Sequence, residues 1–168
     1  MTIDYIIPEY IEGIGDCTKL LTATGKEKII EKNIDTVLKQ IMKDRLISQR
    51  DLYRKTYELT KMKRNFPLYL TNQEMLITFK CRKIKAQGDR AFGYINQKYI
   101  HSVYRGKITT LDGKQLNLLE RQSTFMERME VADELKNQFQ NDKYLSLLYN
   151  SNESKKSKLL LKIIKEIL

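Results

Sequence analysis

The tightest constraint on the fold lies between residues 74 and 82. There Met75, Ile77, Phe79 and Cys81 alternate with Glu74, Thr78, Lys80 and Arg82, and Leu76 alone breaks the pattern. A period of two is that of a pleated strand, which puts one set of side chains in the core and the other in water. A second β-type run, rich in aromatic and β-branched residues, covers 92–103. The segment KCRKIKAQGDR (80–90) joins the two, carrying Arg82, Lys83, Lys85 and Arg90 around Gln87-Gly88-Asp89. The pattern predicts a basic hairpin.

Other segments have their own punctuation. Residues 4–14 read as a strand interrupted by Pro8, which removes a ladder donor and so suits an edge or bulged strand. Residues 22–25 read as a turn and 28–31 as a short strand around Ile29 and Ile30. Ile34, Val37, Leu38, Ile41, Met42 and Leu46 recur at spacings of three and four, the stripe of an amphipathic helix. Ser48 with Asp51 is a capping signature for a second helix bearing Leu52, Thr56 and Leu59. Pro67 stops helix, so the sheet is expected to resume at 68–70, with a turn at Thr71-Asn72. Asp112-Gly113 between 107–111 and 114–118 is a two-residue hairpin signal. Thr124 with Glu127 reads as a capping box for a helix carrying Phe125, Met129, Ala132 and Leu135. A polar stretch at 150–157 precedes a terminal helix at 158–168, striped by Leu160, Ile163, Ile164 and Ile167. The fold class is therefore α+β: an antiparallel sheet with flanking amphipathic helices and a basic hairpin. Residues 1–141 form one domain, and 142–168 form a C-terminal segment.

Charge is unevenly spread along the 168 residues. Residues 1–38 hold 4 Lys/Arg and 7 Asp/Glu, 39–107 hold 17 and 5, and 108–168 hold 10 and 9, so the net +10 resides in the middle third. A focused positive field attracts a polyanion, with nucleic acid ahead of an anionic membrane surface. No stretch approaches the roughly 20 apolar residues of a spanning helix. The two cysteines, Cys17 and Cys81, make neither a disulfide framework nor a zinc site, which suits a reducing cytoplasm. No cofactor is expected.

Catalysis finds little support. His101 is the sole histidine. Glu74 and Asp89 with Lys80 or Lys83 lack the acid-x-Lys spacing of a metal-dependent nuclease. Cys81 reads as a small hydrophobe on the apolar strand face. Tyr69, Tyr94, Tyr99 and Tyr104 are open to stacking on unpaired bases or, for Tyr94, to half-burial in the sheet.

Three stretches carry a resemblance to a known family. Thr56-Tyr57-Glu58-Leu59-Thr60-Lys61, followed by Pro67-Leu68-Tyr69-Leu70, is similar to a T-Y-E-V-T-K motif, basic spacer and extended segment. Gly93-Tyr94-Ile95 stands where that family has C-x-W-I, with Phe92 for the cysteine and Tyr94 for the tryptophan. Asp112-Gly113-Lys114, Leu116, Leu118 and Phe125 match the spacing of its N-G-K, apolar-x-L and S-F. The chain thus resembles the competence transcription factor (ComK) family over residues 50–135. It departs from the pattern at Phe79-Lys80-Cys81 and the loop 82–90, which replace F-P-T and a Ser/Pro-rich connection, and at Gln97 and Tyr99, which replace histidines.

The resemblance implies a DNA-binding activator of DNA-uptake genes that reads A/T-rich boxes through the minor groove and binds as a homo-oligomer. A narrow A-tract groove favours inserted cations. On that reading Arg82, Lys83, Lys85 and Arg90 form the groove-facing tip of a slim arm, and Arg54, Lys55, Lys61, Lys63 and Arg64 neutralise flanking phosphates. The 82–90 charges could instead be a solvated connection. Leu147, Leu148 and Tyr149 resemble the segment through which the family meets an adaptor of a regulated protease. The alternative is a non-catalytic basic nucleic-acid-binding or protein-interaction module of the same fold without a competence role.

Overall fold

The computed structural model describes residues 2–142. The expected terminal helix and the candidate adaptor contact Leu147, Leu148 and Tyr149 lie outside them. In chain order the elements are β1 (Ile3–Ile11), β2 (Gly15–Thr22), β3 (Glu27–Ile30), α1 (Ile34–Asp44), α2 (Gln49–Thr60), β4 (Leu68–Thr71), β5 (Glu74–Lys80), β6 (Phe92–Asn96), β7 (Ile100–Tyr104), β8 (Lys107–Thr110) and β9 (Gln115–Asn117). A third helix, α3, follows at 122–142. The class is α+β, with an antiparallel six-stranded sheet ordered β3-β2-β1-β6-β5-β4 and a three-stranded sheet ordered β7-β8-β9.

Both faces of the large sheet are covered. One face sets Ile6, Leu20, Leu68, Leu70 and Leu76 against Ile34, Val37, Leu38 and Met42 of α1 and Leu52 of α2. The other sets Tyr5, Met75, Ile77, Phe79 and Ile95 against Ile108, Leu118 and the α3 residues Phe125, Ala132 and Leu135. This corrects the expectation of a wet face on β5, which is buried from Glu74 to Phe79. Leu76 is the residue that reveals two-sided burial, because it alone in β5 supplies an apolar group to the α1–α2 face.

The polar residues on that face are individually satisfied, as burial demands. The Thr78 hydroxyl donates to the Asn65 carbonyl at 2.6 Å. Glu74, only 3% exposed, accepts from the Ile3 amide at 2.7 Å and from Arg45 Nη2 at 2.7 Å. The charge pair and amide together offset the desolvation of the carboxylate.

Strand β1 lies inside the sheet rather than at its edge, yet its β6 partner reaches only Tyr5 and Ile6. Pro8 falls in the half paired with β2 alone, opposite Thr18. A register shift between Ile3 and Tyr5 also bulges the strand, so that Ile3 and Ile6 share a face. Strand β2 is absent from the periodicity because it too is buried on both faces, through Thr18, Leu20 and Leu21.

Three further expectations change. Leu46 is 95% exposed with φ +57°, so it ends the turn after α1 instead of extending its stripe. The 92–103 run divides where buried Asn96 donates to the Ile3 and Gln73 carbonyls at 2.9 and 3.0 Å and accepts from the Lys98 amide. That side chain caps a short 3-10 turn, Gln97–Tyr99, which sends β7 into the second sheet. Helix α3 begins at 122, so Thr124 sits inside its first turn and is not the cap. Ser48, by contrast, does accept from the Asp51 amide at 3.3 Å.

Candidate nucleic-acid interface

The connection between β5 and β6 does not project. It folds back on the β1–β2 end, where Tyr10 is its hub. The Tyr10 hydroxyl accepts from the Lys85 amide at 2.8 Å and donates to the Asp89 carboxylate, which in turn accepts from the Ala86 amide at 2.8 Å. The Tyr10 hydrogen bond, then the Ala86 amide, hold the Asp89 carboxyl below the usual range. Gly88, with φ +92°, closes the turn beneath the Asp89 amide bond to the Ala86 carbonyl.

Two of the four loop cations are committed within the fold. Arg82 is 11% exposed at its side chain, stands 2.6 Å from Asp16, donates from Nε to the Arg90 carbonyl at 2.7 Å, and lies 4.0 Å over the Tyr10 ring. A guanidinium so placed fastens the loop. Arg90, far more exposed, pairs with Asp35 at 2.6 Å. Lys85 rests over Tyr10 at 4.6 Å, and Lys83 is exposed. Both pairing acids come from the acidic first third of the sequence, so charges segregated along the chain meet in space.

On α2, Arg54 pairs with Asp51 at 3.0 Å and stands 4.0 Å from Glu58, while Lys55 pairs with Asp142 of α3 and lies 5.2 Å over Phe139. These two cations serve helix surface and helix–helix contact. Lys61 caps α2 in the left-handed region, φ +59°, and Lys63 and Arg64 follow it exposed. Among the described residues, no acid lies within ion-pair distance of Lys61, Lys63 or Arg64.

Lys63, Arg64 and Arg90 converge on one open depression of about 300 Å³. Its walls are the half-buried rings of Tyr53, Phe66, Phe92 and Tyr94, and Asp35 stands at its mouth. Phe66 meets Tyr53 edge to face, at 5.0 Å and 80°. Burial pushes the Tyr53 and Tyr94 hydroxyls above their ordinary value. An adjoining hollow shares Asp35, Tyr53 and Arg90 and adds Lys39. Lys39 and the three rings other than Tyr94 were not legible as site residues: Tyr53 lies on α2 and Phe66 in the irregular segment before β4, and only the packing of α2 against the sheet joins them.

The other tyrosines have partners of their own. Tyr69 stacks on Phe139 at 4.8 Å, and Tyr99 packs near Tyr5 while bonding Asp112. Tyr104 is exposed beside Arg105, 5.0 Å from its ring. Cys81 is half-buried against the α3 side of the core, and burial pushes its thiol up to about 12. Glu74 and Asp89, weighed as metal ligands, are engaged by Arg45 and Tyr10 respectively.

Among the described residues, no helix is long and apolar enough to cross a membrane. Comparison with known protein families, curated proteins and solved structures finds no match to this chain.

Proposed function

We propose that the chain is a sequence-selective, DNA-binding transcriptional activator of competence genes. It acts in the cytoplasm as a homo-oligomer and reads A/T-rich duplex through the minor groove. The single observation that carries the DNA-binding part is the convergence of Lys63, Arg64 and Arg90 on one depression, with Lys39 lining the adjoining hollow and Lys61 two residues before Lys63 in the chain. Lys63 and Arg64, with no acid within ion-pair distance among the described residues, give up few internal contacts on meeting phosphates and release counterions from the duplex, whereas Arg90 exchanges its pairing with Asp35. The competence role and the groove rest on the family resemblance across residues 50–135.

In this reading Lys61, Lys63 and Arg64 contact phosphates. Lys83 and Lys85 are the loop cations left to approach the groove, while Arg82 positions the loop. Leu147, Leu148 and Tyr149 are the proposed contact for a protease adaptor.

A second reading draws on the pairing of Arg82 with Asp16 and of Arg90 with Asp35, which lowers the positive field at the loop. It keeps a basic nucleic-acid or interaction module without the competence role. Electrophoretic shifts on an A/T-box duplex and a G/C-rich duplex of equal length separate the two. Tighter binding to the A/T box supports groove reading, and equal binding to both supports phosphate contact alone.

A further inference from the structure

We infer that the depression between α1, α2 and the β5–β6 connection is a pocket for a single nucleobase bearing a phosphate. The inference shares Lys63 and Arg64 with the DNA surface proposed above and goes beyond it, because a base inside a stacked duplex cannot enter such a hollow.

Three features select this ligand class. The walls are half-buried aromatic rings, which suit a flat heterocycle and offer stacking that tolerates any base. Lys63 and Arg64 at the mouth are exposed cations with no acid within ion-pair distance among the described residues, placed for a phosphate on the base's sugar. The Arg90–Asp35 pair sets a donor and an acceptor side by side at the same mouth, 2.6 Å apart. A carboxylate accepts from an exocyclic amine and a guanidinium donates to a ring nitrogen or carbonyl, the complement of a base edge.

Competing ligands fit less of the site. A bare phosphate would leave the rings unused, and an apolar ligand would have to desolvate the charged mouth. The volume of about 300 Å³ lies at the small end of ligand pockets. The chemistry is common to a free mononucleotide and to one unstacked base of a strand.

The test uses the full chain, whose lack of tryptophan leaves a fluorescent purine clear of protein background. Three probes are titrated: 2-aminopurine riboside, its 5′-monophosphate, and a short single strand with one central 2-aminopurine. Stacking in the pocket quenches all three. The Lys63→Ala, Arg64→Ala double variant, altered only at exposed positions, weakens the two phosphate-bearing probes roughly tenfold or more and spares the riboside. Equal affinity for the monophosphate and the strand identifies a free nucleotide as the ligand, and much tighter strand binding identifies an unstacked base. Absence of quenching at millimolar probe, or quenching of the monophosphate that the double variant leaves unchanged, overturns the inference. A duplex shift measured alongside keeps the failures apart. Duplex binding without quenching defeats the pocket alone, and quenching without duplex binding defeats the DNA reading alone.

Discussion

At the residue scale, Gly93 marks how closely β1 approaches β6. A Cβ built there would stand 2.7 Å from Ile7 Cγ2 and 2.9 Å from the Ile6 carbonyl oxygen. The backbone oxygen cannot yield as a flexible side chain does, so Gly93→Ala should destabilise the fold by about 1–3 kcal/mol, read from the urea midpoint at unchanged slope. The sequence marks Gly93 only as a glycine in a strand, since the neighbour that excludes a side chain is more than 80 positions away. Asp112 makes a second prediction. Hydrogen bonds from Thr110 and Tyr99 lower its carboxyl to about 2. Its folded value is below the unfolded one near 3.9, so its contribution is present above about pH 4 and lost as pH falls toward 2. Thermal melts between pH 5 and pH 2 should fall less steeply for Asp112→Asn than for the parent. Asp4 acts in the opposite sense, because burial, then Asp112 and Glu74, raise its carboxyl. Its cost is greatest above its raised value, and Asp4→Asn should raise the melting temperature at pH 7.

Elements follow the sequence best where one face is dry and the other wet. Helix α1 is such a case: its stripe of Ile34, Val37, Leu38 and Met42 is the buried set. Strands buried on both faces lose that signal. β2 has no alternation to read, and in β5 the apparent wet set of Glu74 and Thr78 is buried polar structure. Helix α3 adds a buried charge that periodicity does not flag. Arg128 and Glu120 pair with side chains 6% and 11% exposed, and Arg128 also donates to the Thr78 carbonyl. Glu120 accepts from the Lys80 amide at 2.9 Å, and the Leu119 amide donates to the Lys80 carbonyl at 2.7 Å, so the pair latches α3 to the end of β5. Removing one partner leaves the other charge buried, and Arg128→Ala should cost about 3–5 kcal/mol. Hydrogen exchange should show α3 amides losing protection together with the end of β5.

For the whole molecule, the charge pattern along the chain was legible and its arrangement in space was not. Asp16 and Asp35 come from the acidic first third and neutralise Arg82 and Arg90, whereas Lys61, Lys63 and Arg64 after α2 have no such partner among the described residues. The candidate surface therefore moves from the loop tip toward Lys61, Lys63 and Arg64, a shift that only the folding of the 82–90 connection onto Tyr10 reveals. Reversing Arg82 would break the loop's anchor as well as change its charge. Lys63 and Arg64 are cleaner probes, being exposed and outside every regular element. Phosphate contact by Lys63 and Arg64 is read from the salt dependence of duplex affinity for the parent chain and for the Lys63→Ala, Arg64→Ala variant. Each lost phosphate contact lowers the slope of log affinity against log salt by about 0.9. A steep slope is expected for the parent and a slope shallower by about 2 for the variant, with weaker binding at every salt concentration. An unchanged slope and affinity in the variant would contradict it.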